Sequence, residues 1–182
     1  MNPRTKAVIR VLGISFLSAF SIAGLKLGFG KWSHSLAFVA DGLHSIFDSL
    51  ATVIGAISII WSSKPPDEGH PYGHQKFETV SAISLAIIIL LTSYEVGTLA
   101  LERILSKNVA THYSNWGVLI LLISMCANLC IAKLEVRMAK SVGSPFLLSD
   151  AAHNHADFWI TTAVLSTIIA SYYHLPDRKS VV

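Results

Sequence analysis

Charge is scarce in this sequence. Only 14% of the 182 residues are charged, whereas 52% are hydrophobic. Soluble domains usually carry about 25% charged residues, because those residues cover the surface. With 14 Lys and Arg and 11 Asp and Glu residues, the chain is too poor in charge for a compact soluble globule, and we expect a membrane protein. The net charge of +3 is small and scattered along the chain, which argues against nucleic-acid binding.

Cysteine is nearly absent as well. The two cysteines, Cys126 and Cys130, lie one helical turn apart in a single apolar run, which excludes a disulfide framework. Such a pair is able to bind a soft metal, although a buried cysteine more often serves as a small apolar side chain in the core. We leave the function of these two residues open.

The segments that lack charged residues are long hydrophobic runs. A helix needs about 20 apolar residues to cross a bilayer core, and five runs reach that length or come close to it. These runs are Ala7–Phe29, Ser35–Trp61, Phe77–Leu101, Trp116–Leu134 and Leu147–Tyr173. Barrel-type alternation is absent, and only a helix satisfies its backbone within lipid. The sequence therefore predicts an all-α, polytopic transmembrane helix bundle with five spans.

The positions of Lys and Arg predict a cytoplasmic N-terminus. On that reading the cytoplasmic side holds Arg4, Lys6, Arg10, Lys64, Lys76, Lys133, Arg137 and Lys140. The opposite side holds Lys26, Lys31, Arg103, Lys107, Arg178 and Lys179. We hypothesise below that Arg178 and Lys179 do not belong to the protein. If these two are left out, the excess of Lys and Arg on the cytoplasmic side becomes larger.

Two of the runs share one pattern of ionisable residues. Both carry Asp-x-x-His-x-x-x-Asp, at Asp41, His44 and Asp48 and at Asp150, His153 and Asp157. Ionisable groups inside a membrane helix are costly, so each is a functional candidate. Residues three and four apart share a helix face, so each helix presents one His between two carboxylates.

If the polar faces of these two helices face each other, four side chains surround one point, namely His44, Asp48, His153 and Asp157. Two imidazoles and two carboxylates suit a divalent transition metal, with Zn2+ the natural occupant. Two ionised Asp offset one such cation, whereas an empty site takes up protons. The ligand set therefore predicts exchange of metal for protons. Asp41 and Asp150 are predicted as outer-shell partners that orient the histidines, or as entry-side charge.

Other interpretations stay open. The polar residues are able to pack the helices through hydrogen bonds without any metal. An intramembrane zinc enzyme is disfavoured, because His-Glu-x-x-His is missing and four protein ligands leave no position for water. We therefore predict no enzyme. A membrane metal-binding sensor or an inactive fragment remains the alternative to a transporter.

A loop after the second run holds a further candidate site. Asp67, His70 and His74 form a compact cluster among prolines and glycines that define turns. A second, cytoplasmic metal site is one interpretation, and simple capping of the third span is the other.

The remaining polar residues of the runs carry weaker predictions. His155 is predicted to project away from the His153 stripe, and Glu95 and Glu102 to be interfacial. Four glycines are predicted to allow close helix packing, namely Gly13, Gly24, Gly28 and Gly55.

The sequence resembles the cation diffusion facilitator family of metal/proton antiporters. The resemblance rests on His44-x-x-x-Asp48, on His153-x-x-x-Asp157 and on the stretch from Pro66 to Glu78, which is similar to the family's hallmark loop. It covers nearly the whole chain, from the first run to about Pro176.

The resemblance implies a transport site, a secondary site and a set of partners. The transport site would be His44, Asp48, His153 and Asp157, alternately open to the cytoplasm and to the other side. The loop cluster would be a secondary cytoplasmic site near a homodimer interface. The family exports Zn2+ and, in some members, Fe2+, Mn2+, Co2+, Cd2+ or Ni2+ in exchange for protons, with no resident cofactor. His-x-x-x-Asp on both helices resembles the zinc-type members, and the implied location is the bacterial inner membrane.

The family pattern also implies six spans followed by a cytoplasmic metal-binding domain, whereas five runs are present. No sixth run follows His174-Leu175-Pro176. We hypothesise that the chain is an incomplete copy of a longer protein. Residues 1–176 would be the transmembrane transport domain, and residues 177–182 an atypical tail that arose as an assembly artefact.

Overall fold

The described residues form five long helices. The computed structural model of the protein describes residues 3–106 and 114–174. In chain order the helices are α1 (Pro3–Trp32), α2 (Leu36–Ser62), α3 (Lys76–Ser106), α4 (Asn115–Val142) and α5 (Pro145–His174). No strand occurs in these two ranges, so the prediction of an all-α fold is confirmed.

Three of the described helices are long and apolar enough to cross a membrane. These are α1, α2 from Ala37 onward, and α4. Helices α3 and α5 have 31 and 30 residues, and their crossing of the membrane stays a prediction. Large apolar side chains such as Leu17, Phe20 and Leu90 point away from the bundle, as expected for a surface that meets lipid. The protein is therefore an integral membrane protein.

Helix α4 extends further than the apolar run that predicted it. The run ends at Leu134, whereas the helix continues to Val142 and carries three basic residues in its last turns, Lys133, Arg137 and Lys140. It ends at Gly143, whose φ of 64° is left-handed and whose N–H donates to the Ala139 carbonyl at 2.8 Å. Hydropathy marks where a helix leaves lipid, and the capping glycine marks where the helix itself ends.

Short turns pair the helices. The turn around His34 joins α1 to α2, and the turn at Gly143 joins α4 to α5, so each pair packs side by side. Helix α3 packs against α2 and α5, and α1 packs against α4. The larger hydrophobic core joins all five helices and includes Val8, Leu12, Ile59, Leu85, Ala139, Phe146 and Leu147.

Arg4 ties three segments together at one end of the bundle. Its Nη2 donates to Glu78 Oε2 on α3 at 3.1 Å, and its Nε donates to the Val142 carbonyl at the end of α4 at 2.8 Å. The Ser144 hydroxyl in the α4–α5 turn also donates to Glu78. The start of α1, the start of α3 and the α4–α5 turn are thus fixed relative to one another, which sets the position of α5.

The glycines do not share one role. Of the four expected at close contacts, only Gly55 meets that expectation among the described residues. A Cβ atom at Gly55 would overlap the ring of Phe146, whereas one at Gly13, Gly24 or Gly28 would have nothing within 4 Å. The Phe146 ring of α5 packs directly on the backbone of α2 at Gly55, and the other three glycines have nothing within 4 Å of an added Cβ atom.

Replacing Gly55 with alanine is expected to lower the free energy of unfolding by about 1–3 kcal/mol, because the buried Phe146 ring must move. Gly24→Ala is the matched control. There the added methyl group is free, and the substitution is expected to be neutral or to stabilise α1 by up to about 1 kcal/mol. Thermal denaturation of both variants in detergent measures the difference, and equal stability of the two would contradict the close contact.

Candidate metal site

Three predicted ligands meet where α2 faces α5. Asp48 Oδ1 lies 3.0 Å from His153 Nε2, and Asp157 Oδ2 lies 3.7 Å from the same nitrogen. One donor atom from each of these three residues lies within 4.8 Å of the other two. His153 Nε2 is buried between these two carboxylates. An imidazole lone pair beside two carboxylates is a donor set for a divalent metal.

His44 stands slightly apart from this triad. Its Nε2 lies 3.7 Å from Asp48 Oδ2, and its side chain is 42% exposed. His44, Asp48 and Asp157 line one cavity of about 340 Å3. A cation held by the triad would therefore have His44 beside it on the cavity wall, so the fourth predicted ligand lies within the same site but outside its compact part.

Asp41 lines the same cavity and pairs with Lys26. Lys26 Nζ donates to Asp41 Oδ1 at 2.9 Å and to the Ser45 hydroxyl at 3.2 Å, and Lys26 is only 6% exposed. The count of Lys and Arg placed Lys26 on the side opposite the N-terminus. The residue lies inside α1 and its ammonium group contacts α2, so it is not a loop charge.

Lys26 is a residue that sequence reasoning missed at this site, although a signal was present. A lysine within an apolar run is costly unless it has a partner, and Asp41 is the nearest carboxylate across the α1–α2 turn. The ammonium brings a fixed positive charge to the wall of the cavity that Asp48 and Asp157 also line.

Asp150 and Glu135 form a second buried pair. Asp150 is 2% exposed and its side chain lies in hydrogen-bonding contact with that of Glu135, which is fully buried on α4. Asn154 Nδ2 donates to Glu135 Oε2 at 3.0 Å. Glu135 was not singled out from the sequence because it lies past the predicted end of the fourth span. The signal was its spacing, since Leu121, Ser124, Ala132, Glu135 and Ala139 form one buried stripe.

The loop between α2 and α3 brings its three candidates together. Asp67 Oδ1 lies 3.3 Å from His70 Nδ1, and Asp67 Oδ2 lies 3.3 Å from His74 Nε2. The two imidazole rings are 4.4 Å apart between centroids, and His74 stacks on Phe77. His74 is 7% exposed, and its Nδ1 has no hydrogen-bond partner in the described part of the chain. These side chains face one another, as expected of a metal-binding cluster.

The backbone holds Asp67 in its ionised form. The His70 N–H donates to Asp67 Oδ1 at 2.7 Å, and this bond, together with the bond from the His70 side chain and the charges of His74 and His70, holds the pKa of Asp67 below its usual range. A carboxylate with a lowered pKa keeps its charge on mild acidification. Asp67 is therefore available as an oxygen ligand wherever the neighbouring imidazoles are neutral.

Loss of Asp67 is expected to weaken metal binding at the loop. In a His153→Ala background, which removes the intramembrane triad, Asp67→Asn should lower Zn2+ affinity by about 10-fold or more. The lowered pKa of Asp67 keeps the carboxylate charged on mild acidification, so the wild-type loop keeps this oxygen ligand until the pH falls through that lowered value. Equilibrium dialysis against Zn2+ measures the affinities, and equal affinity of the two proteins would contradict this assignment.

The remaining candidates lie elsewhere. Cys126 and Cys130 are exposed on α4, and within the described residues neither belongs to a group of three metal-binding side chains. His155 is partly buried and likewise lies outside both clusters. The side chains of Glu95, Glu102 and Arg103 lie outside the described part of the structure, as do Lys107 and the predicted tail at 177–182.

The chain matches a known family over most of its length. The cation efflux transmembrane domain matches residues 12–181. The manganese efflux system protein MneS of Bacillus subtilis is 32% identical over 168 residues, which is 89% of this chain and 56% of that protein. An uncharacterized transporter of Methanocaldococcus jannaschii is 30% identical over 161 residues, which is 88% of this chain and 56% of that protein.

A third relative, the cation-efflux pump FieF of Shewanella oneidensis, is 26% identical over 159 residues, or 87% of this chain and 53% of the pump. The chain thus spans about half the length of the curated relatives it matches. These relatives are transporters rather than enzymes by name. The resemblance noted from the His-x-x-x-Asp motifs is confirmed, and the chain belongs to the cation efflux family, the cation diffusion facilitators.

Proposed function

We propose that this chain is the membrane part of a secondary transporter that exports divalent transition-metal cations in exchange for protons. One observation carries the proposal. Asp48, His153 and Asp157 bring donor atoms from two helices within 4.8 Å of one another, and two of the three line a cavity. Ionisable side chains at the middle of a membrane protein commonly mark a pathway for ions.

The ligands themselves support exchange with protons. Two carboxylates offset the double charge of the cation, so the loaded site is close to neutral inside the membrane. When the cation leaves, two carboxylates facing each other across an imidazole would be an uncompensated negative cluster. Protons are the counter-ions that reach such a site most readily, because the same atoms that bind metal also bind protons. Loading with metal then releases protons, and protonation releases metal.

The donor set supports Zn2+ as the first candidate. With His44, the site offers two nitrogens and two oxygens, which suits a tetrahedral zinc ion. Without His44, the triad offers mostly oxygen, which suits Mn2+ or Fe2+ with added water. Two relatives are named as manganese efflux systems, and MneP of Bacillus subtilis, the second of these, is 27% identical over 161 residues. We therefore propose Zn2+, with Mn2+, Fe2+, Co2+ and Cd2+ as competing substrates.

We further propose a homodimer with a cytoplasmic N-terminus in the bacterial inner membrane, with the loop cluster on the cytoplasmic side. The Arg4 junction supports one part of this arrangement. It ties the starts of α1 and α3 to the α4–α5 turn, so these segments share one side of the membrane. The basic residues that end α4 then lie on the same side as Arg4, in agreement with the preference of Lys and Arg for the cytoplasm.

Metal flux into proteoliposomes tests the proposal. Vesicles with an acidic lumen and a trapped pH indicator receive the purified protein, and Zn2+ or Mn2+ is added outside. We expect metal uptake together with alkalinisation of the lumen, and less uptake when the pH gradient is collapsed. Metal binding without flux would favour a membrane metal sensor and would contradict the transporter.

A further inference from the structure

Two buried carboxyl groups have no role in the proposed metal site. Glu135 on α4 is fully buried, and Asp150 on α5 is 2% exposed. Their side chains lie in hydrogen-bonding contact across the α4–α5 pair. Neither belongs to the compact triad, and Asp150 lies three residues before His153, one turn nearer the start of the helix.

The hydrogen-bond donors around this pair are too few for two ionised groups. Asn154 Nδ2 donates to Glu135 Oε2 at 3.0 Å, and the Ser15 hydroxyl on α1 faces Glu135. Glu135 Oε1 and Asp150 Oδ2 are buried and have no donor among the described residues. The nearest titratable groups are Asp48 on α2 and His153 and Asp157 on α5. Among the lysine and arginine side chains that the structure describes, none forms an ion pair with Glu135 or Asp150.

A shared proton resolves this arrangement. Two facing carboxylates, both ionised and removed from water, repel each other and lose their solvation. If one group is a carboxylic acid, its O–H donates to an oxygen of the other, and the pair gains the donor that it lacks. The pair then carries a single negative charge.

We propose that Glu135 and Asp150 hold one proton between them, at a proton-binding site separate from the metal site. The burial of both carboxyl groups and the two oxygens that lack a donor carry this proposal.

Infrared spectroscopy tests the shared proton directly. Metal-free protein should show the C=O stretching band of a buried carboxylic acid, and Glu135→Gln and Asp150→Asn should each remove or shift it. Glu68→Gln, at an exposed loop carboxylate, is the matched control and should leave the band unchanged. A metal-free wild-type protein without the band, or a spectrum in this region that both substitutions leave unchanged, would overturn the proposal. Two substitutions are used so that the failure of one variant to fold leaves the test intact.

Discussion

His153→Ala is expected to lower metal flux at least about 100-fold, because substitutions of mere supporting groups around metal ligands already cost about 10–100-fold. His153 Nε2 is the atom that lies between the two carboxylates, 3.0 Å from Asp48 and 3.7 Å from Asp157. Without it the two carboxylates lose the nitrogen donor between them. Initial rates of Zn2+ and Mn2+ uptake into proteoliposomes measure the loss.

The same helix supplies the matched control. His155 lies two residues further along α5, outside both clusters of metal-binding side chains among the described residues, so His155→Ala should retain most of the flux. Asp157→Asn keeps the shape of the site and removes one charge, and it should abolish flux as His153→Ala does. Equal flux in the two histidine variants would contradict the assignment, provided that both elute as folded protein from size-exclusion chromatography.

The pairing of the two motifs was predictable from the sequence for a physical reason. Ionisable residues are costly in an apolar run, so the few that occur there stand out, and helical spacing places them on one stripe. Asp48, His153 and Asp157 lie together as expected. The sequence did not reveal that His44 stands on the cavity wall at 3.7 Å from Asp48, because spacing along one helix says nothing about how the facing helix is rotated.

The unpredicted features share one cause, which is that the partner of a side chain depends on packing between helices. Asp41 was expected beside a histidine, yet the α1–α2 pair brings Lys26 to it at 2.9 Å. Glu135 follows the last apolar residue of its run, and only the continuation of α4 to Val142 places it in the buried stripe opposite Asp150. Hydropathy predicts which segments lie in lipid, whereas caps and contacts between helices decide where a helix ends and what each polar group meets.

Asp41→Ala is expected to destabilise the protein by about 3 kcal/mol, the lower end of the range for breaking a buried ion pair. The loss of stability arises at Lys26, the partner of Asp41. The Lys26 side chain is only 7% exposed, and without Asp41 its ammonium group is left with no carboxylate beside it. The Asp41 carboxylate is itself 38% exposed, which is why the lower end of the range applies. Chemical or thermal denaturation in detergent measures the loss.

The double variant Lys26→Met/Asp41→Ala separates this effect from a loss of packing at Asp41. When both charges are gone, no ionised group is left buried and unpaired, so the double variant should regain most of the stability that Asp41→Ala loses. Lys31→Met, at an exposed lysine in the last turn of α1, is the matched control, and combined with Asp41→Ala it should restore nothing. If the Lys26 and Lys31 combinations are equally unstable, the ion pair does not hold α1 to α2. If only the Lys26 combination recovers, Asp41 balances the charge of Lys26 on the cavity wall.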